Sequence, residues 1–277
     1  HNTTMKSLLL IAALTAAASV HAKDISITSP TGKIAVTVSD NGGSLSYTTA
    51  LGGRKIFTQS ELQLELENKT LGQNARIASV ATKTVSEVIH PAVPMKHSAI
   101  DNRYTQATLN MKGNYKVEFR VFDNAVAYRF ILSEKDSVNV VSETFNLKPS
   151  GEMMAHYQPT RDWGTDSETP YAHRMLRDWQ RDQDMSVLPM ALSSTSEDLH
   201  LLISESDLRD YAGLFLRGNG DGNHLSAALV PNYKNWELTG DRGTKVNQYA
   251  HYAARIAGKR TLPWRYVVVA DAKGILE

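Results

Sequence analysis

An all-β sandwich is the fold class the sequence predicts, and three observations carry it. Short runs of apolar–polar alternation recur through the chain, turn-forming residues separate them at even spacing, and no long stretch shows the 3.6-residue period of a helix. At 277 residues, 42% hydrophobic and 21% charged, the chain has enough apolar material for a core, so disorder as its main state is excluded. All-β sandwiches of roughly 200–250 residues commonly form one domain.

The first segment reads as an address. Residues 1–4 precede Met5 and look like upstream sequence; Lys6 forms a short basic region, an apolar run extends from Leu8 to about Ala18, and Val20-His21-Ala22 presents small residues at the cleavage positions. A membrane-spanning helix needs about 20 apolar residues, and this run is shorter. Residues 1–22 are therefore expected to be upstream residues plus a signal peptide, with the exported chain beginning near Lys23. Removing them takes away Lys6 and no acid, which leaves 29 basic and 29 acidic residues. A neutral chain without a basic cluster excludes the usual nucleic-acid binder. With no cysteine there is no disulfide scaffold, thiolate metal site, cysteine nucleophile or lipoprotein anchor. No membrane anchor is expected; the periplasm is the expected compartment, with secretion second.

From residue 23 the strands follow in order. Lys33 to Ser39 alternates and runs into Asp40-Asn41-Gly42-Gly43, a hairpin signal. Ser44 to Tyr47 resumes the pattern, Leu51-Gly52-Gly53-Arg54 turns, and Leu62 to Glu67 alternates strictly. Tyr104 to Met111, Tyr115 to Phe122 and Val126 to Leu132 follow, broken at Lys112-Gly113-Asn114 and Asp123-Asn124. Ser150 to Asp184 is different: polar, aromatic and charged, it reads as a long connection with a function or a packing partner. Strand signals return at Val187 to Leu192, Leu199 to Ile203, Leu225 to Val230 and Arg265 to Ala270. No repeat or linker interrupts residues 23–277, so they read as one domain.

Motifs for common chemistries are absent: there is no HExxH, GxSxG, P-loop or GxGxxG before a helix. The nine histidines, among them His156, His173 and His200, lack metal-ligand spacing and read as surface or satisfied core residues. Gly218 to Asn223 reads as a tight turn rather than a calcium loop, since it lacks alternate acids and a closing Glu. One constellation stands out. Ser204-Glu205-Ser206-Asp207 follows an apolar strand, and Ser204 with Asp207 three residues on predicts a short helix near 205–210. Its acids would then serve as cap and dipole partners; alternatively, Glu205 at a strand end could offer its carboxylate to Ca²⁺.

The run Ile203 to Leu216, ISESDLRDYAGLFL, resembles the N-terminal domain of glycoside hydrolase family 97. Gln158-Pro159-Thr160 through Trp163, Ser167-Glu168 and Tyr171 are similar to it as well. So are Ser29 to Lys33 with Gly43 to Tyr47, and the closing Pro263-Trp264-Arg265. Together they span nearly all of residues 23–277 in the family's order. Ala212 stands where the family usually has proline.

The resemblance implies a β-super-sandwich of the galactose-mutarotase-like kind, preceding a catalytic (β/α)₈ barrel that lies beyond this sequence. It implies an exported, calcium-dependent α-glucosidase or α-galactosidase whose catalytic acids sit on that barrel, so no catalytic residue is assigned here. The expected partners are the enzyme's own barrel and α-linked gluco- or galacto-oligosaccharides. Glu205 matches the family's calcium ligand from this domain, in a Ca²⁺ site completed by the barrel. Trp163, Glu168 and Tyr171 would contact substrate or, the favoured reading, the domain interface. Two alternatives stay open: a freestanding carbohydrate-binding sandwich, and a truncated product of an interrupted gene with exposed apolar surface.

Overall fold

The computed structural model describes residues 22–220 and 222–276; the proposed leader therefore lies, apart from Ala22, outside the described residues. Two large antiparallel sheets face one another. The first contains eleven strands, with the path Asp24–Thr28, Ile34–Ser39, Ser46–Leu51, Arg54–Leu66, Val138–Pro149, Leu225–Leu229, Leu214–Gly218, Met185–Ser186 and Pro159–Thr160. The second contains ten, with the path Ala172–Met175, Met153–Tyr157, Met190–Ser194, His200–Ser206, Trp264–Ala270, Ala125–Ser133, Tyr115–Val121, Ile100–Met111 and Ile77–Ile89. The all-β sandwich expectation holds.

Alternation explains the packing. Val36 and Val38 of one sheet, and Val117, Phe119, Val267 and Val269 of the other, are all 0–1% exposed in one continuous core. Tyr47 crosses between the sheets, its ring 5.3 Å from Phe119 and 5.8 Å from Tyr128, both edge-on. A chain of hydrogen bonds removes the polar cost of that crossing: the Tyr47 hydroxyl donates to Gln59 Oε1 at 2.8 Å, and Gln59 Nε2 donates to the Tyr128 hydroxyl at 2.9 Å. Glycine is required at position 72, where φ is +83° and an added Cβ would sit 1.9 Å from the Leu62 carbonyl oxygen.

Most predicted strands are present within a few residues. Three features differ. The short helix expected near 205–210 is absent: Glu205 and Ser206 continue the strand His200–Ser206, paired with Arg265 and Trp264. Asp207 and Asp210 then take left-handed φ values of 60° and 49°, which no α-helix accommodates. The cross-strand ladder and the Glu205–Arg265 ion pair outweigh a local capping preference worth about 1 kcal/mol. Secondly, Ser150 to Asp184 is no bare loop, for it contributes Met153–Tyr157, Pro159–Thr160 and Ala172–Met175 to the sheets. Thirdly, Ile77–Ile89, Val138–Pro149 and the separate hairpin Tyr233–Thr239 with Gly243–Tyr249 had no strong sequence signal. Ala272–Leu276 is the only α-helix among the described residues, and no helix there is long and apolar enough to cross a membrane.

Candidate functional site

The end of His200–Ser206 is where the domain gathers charge inside its core. Alternation places Ile203 and Glu205 on the inward face of that strand, and Arg265 and Val267 on the inward face of its neighbour. Arg265 is 1% exposed and meets Glu143 in a two-pronged contact, Nε to Oε1 at 2.8 Å and Nη2 to Oε2 at 2.8 Å. Its remaining Nη1 donates to Glu205 Oε2. Glu205 also accepts the Leu214 backbone N–H, at 3.2 Å to Oε1 and 3.3 Å to Oε2. The Tyr211 hydroxyl donates to Glu143 Oε2 at 3.3 Å, and its ring lies 5.8 Å from the guanidinium carbon.

This arrangement follows from guanidinium geometry. A planar fork can hold one carboxylate with two parallel bonds and still address a second, which a lysine ammonium cannot do in fixed directions. Burial alone would push the guanidinium down, yet the adjacent Glu143, and after it Glu205, hold it above its ordinary value. Burial pushes the Glu205 carboxyl up, and the opposing pull of Arg265 does not cancel it. Burial, reinforced by Glu143, also holds the Tyr211 hydroxyl well above its usual range. Two carboxylates face one guanidinium, so the fully ionised cluster has one unbalanced negative charge, on the side where Glu205 is 13% exposed.

A cation fits such a place only in part. A carboxylate accepts about four hydrogen bonds or metal contacts. Glu205 Oε2 holds Arg265, while Oε1 holds only the longer bond from Leu214 and keeps capacity for another partner. No group of three or more His, Asp or Glu among the described residues could hold a metal ion. Among the described residues, then, no three such side chains gather toward the roughly 6–8 oxygens that Ca²⁺ takes.

Beside Tyr211 lies an open cleft of about 580 Å³, walled by Asp210, Tyr211, Asn232, Tyr233, Trp236 and Arg255. Trp236, 52% exposed, projects from the separate hairpin. The other residues singled out in the sequence have different surroundings. Trp163 is partly buried, its ring edge-on to Phe215 at 5.3 Å, within a small apolar cluster that includes Met185 and Ala228. Tyr171 is 57% exposed, and Glu168 is exposed with its backbone N–H bonded to Asp166 Oδ1 at 3.3 Å. Gln158 ties this loop down through Nε2 to the carbonyls of Ser167 and Thr169. Sequence reasoning missed Arg265 as the partner of Glu205, and Glu143 and Tyr211 as the groups that complete the cluster around it. An arginine opening an otherwise apolar strand was the one available signal, since a buried charge needs a partner.

Comparisons with known proteins agree on where such a domain belongs. The profile of the family described as glycosyl-hydrolase 97 N-terminal matches residues 27–277. A retaining alpha-galactosidase of Bacteroides thetaiotaomicron is 29% identical over 259 residues, covering 89% of this chain. The chain spans 38% of that relative's length. Among solved structures, a glycoside hydrolase family 97 enzyme from Pseudoalteromonas sp. strain K8 in complex with panose superposes with a TM-score of 0.72 at 18% identity, over 89% of this chain and 35% of that one. A beta-arabinopyranosidase superposes with a TM-score of 0.70 at 20% identity, over 90% of this chain and 40% of the other. These likenesses show a shared fold.

Proposed function

This chain belongs to the glycosyl-hydrolase 97 N-terminal family, and from that premise we propose that it is the accessory domain of an exported calcium-dependent α-glycosidase. In this reading it packs on the enzyme's catalytic barrel and binds α-linked gluco- or galacto-oligosaccharides near the active site. Export rests on the leader pattern from Met5 to Ala22; the periplasm is the proposed compartment.

The observation that carries the reading is the charge imbalance at Glu205. Arg265 pins the carboxylate at a strand end, yet two of its three bonds to carboxylates go to Glu143, so two carboxylates share one positive charge. A cation supplied with oxygens from another domain would answer that deficit. Glu205 would be this domain's ligand to Ca²⁺, which in such a site can hold or polarise a sugar oxygen. The Trp236 cleft supports the carbohydrate part, for an exposed indole beside Asp210, Asn232 and Arg255 suits a sugar ring with its hydroxyls.

Two experiments test this. The purified chain from Lys23 to Glu277 is expected not to cleave aryl α-glucosides or α-galactosides. Glycoside hydrolysis needs two carboxyl groups flanking the bond, roughly 5–10 Å apart, and the carboxylates gathered at Glu205 are instead tied to a buried arginine. Turnover at enzyme-like rates would end the accessory reading. In the full-length polypeptide, Glu205→Gln is expected to raise the calcium concentration for half-maximal activity at least about tenfold. An unchanged calcium requirement would remove Glu205 from the site.

A further inference from the structure

Far along the second sheet, a row of polar side chains crosses its outer face. Met153, Ala155 and Tyr157 point into the core from one strand, which turns His156 outward; Leu192 and Leu201 do the same for Ser193 and His200 on the next two. His173 stands directly opposite His156 on Ala172–Met175, the last strand of the sheet. The two imidazoles approach until their Nδ1 atoms are 2.7 Å apart. His156 Nε2 is 3.0 Å from Ser193 Oγ, Ser193 Oγ is 2.8 Å from His200 Nδ1, and His200 Nε2 is 3.0 Å from Asp198 Oδ1.

The direction of every proton in this chain follows from its end. An ionised carboxylate only accepts, so neutral His200 carries its proton on Nε2 and accepts from the Ser193 hydroxyl at Nδ1. Ser193 Oγ is then free to accept from His156 Nε2–H, which leaves the His156 Nδ1 lone pair aimed at His173. Such an anchored far nitrogen is the arrangement that fixes the tautomer and orientation of a metal-binding histidine. Asp198 is itself held by the Ala272 backbone N–H at 2.9 Å.

We propose that His156 and His173 form a two-imidazole site for a divalent transition-metal ion of the zinc or nickel class, coordinated through their Nδ1 atoms and completed by water. Metal–nitrogen bonds of about 2.0–2.1 Å place two neighbouring ligand nitrogens about 2.9–3.4 Å apart. The observed separation of 2.7 Å needs to open by about 0.2–0.7 Å, with the rings turning so that both lone pairs converge, on a strand at the sheet edge. The proton between the two Nδ1 atoms leaves, and His173 takes one at Nε2, so coordination by two neutral rings releases no net proton. Imidazole nitrogen selects this class of ion over Ca²⁺, so the site is independent of Glu205.

The test is calorimetric titration of the chain from Lys23 to Glu277 with Zn²⁺ and with Ni²⁺, in a non-chelating buffer. One equivalent is expected to bind. His173→Ala, at an exposed position, is expected to abolish binding while leaving the melting curve without metal unchanged. His251→Ala and Glu205→Gln are expected to leave binding as it was. Ser193→Ala, which frees the far nitrogen of His156, is expected to weaken it about 10–100-fold. No binding by the parent chain, or binding that survives His173→Ala, would overturn the proposal. Equal affinity for the parent and the Ser193 variant would remove the anchoring chain from it.

Discussion

Arg265→Ala is expected to destabilise the domain by about 3–5 kcal/mol, measured as the loss of unfolding free energy in a urea titration. The substitution removes the only positive group from a buried cluster and strands Glu143, 4% exposed, and Glu205, 13% exposed, with no counter-charge. Most of the penalty comes from those uncompensated carboxylates rather than from the lost attraction. Arg265→Lys is expected to recover only part of it, because an ammonium cannot hold both oxygens of Glu143 and still reach Glu205. Replacing Arg265, Glu143 and Glu205 together with apolar residues of similar volume is expected to restore most of the stability. A loss below about 1 kcal/mol for Arg265→Ala, the range of an exposed ion pair, would show that the cluster is not closed as described.

Trp179→Ala is the second large effect, expected to cost about 3–5 kcal/mol by the same measurement. Trp179 is 1% exposed and stacks on Tyr157 at 4.1 Å between ring centres. Its indole N–H donates to the carbonyl and to Oδ1 of Asp184, each at 3.1 Å. The same carboxylate accepts from the Tyr157 hydroxyl at 3.1 Å and from Arg174 at 3.2 Å. Removing the ring opens a cavity and unties the segment 150–184 at once. Trp179→Phe preserves part of the stacking and loses the donor, so a cost of about 1–3 kcal/mol is expected. If both variants unfold like the parent, Trp179 does not organise that segment.

This segment marks the boundary of what the chain discloses locally. Its polar and aromatic composition reads as a connection, and parts of it are: Tyr171 is exposed and the loop holding Glu168 is surface. Yet Leu176 on a single 3₁₀ turn and Trp179 just past it are buried, a burial that no periodicity over so few residues could announce. The long strand Val138–Pro149 was missed for a related reason. Its alternation is broken before Ser142 and regular only from Glu143 to Pro149, and the inward positions include Glu143, so a polar residue occupies a core position. The short helix near 205–210 was wrong because a local capping pattern competes with a strand partner about sixty residues away, which the pattern does not contain.

The histidines show the same limit most clearly. Residues 156, 173 and 200 have no metal-ligand spacing in the chain, and spacing alone reads them as surface or satisfied core residues. Strand order brings them into one row, by pairing Met153–Tyr157 with Ala172–Met175 on one side and Met190–Ser194 on the other.

By itself, then, the sequence determined the all-β class, most strand positions and the family, because alternation, turn residues and contiguous motifs are local properties that survive without a fold. It also singled out Glu205, through a motif whose residues are neighbours in the chain. Only the tertiary structure decided what Glu205 touches. Its partner Arg265 lies 60 residues away, and Glu143 lies 122 residues from Arg265. Such contacts are set by which strands lie side by side and which faces turn inward, and burial then turns an ordinary pair of opposite charges into an energetic commitment.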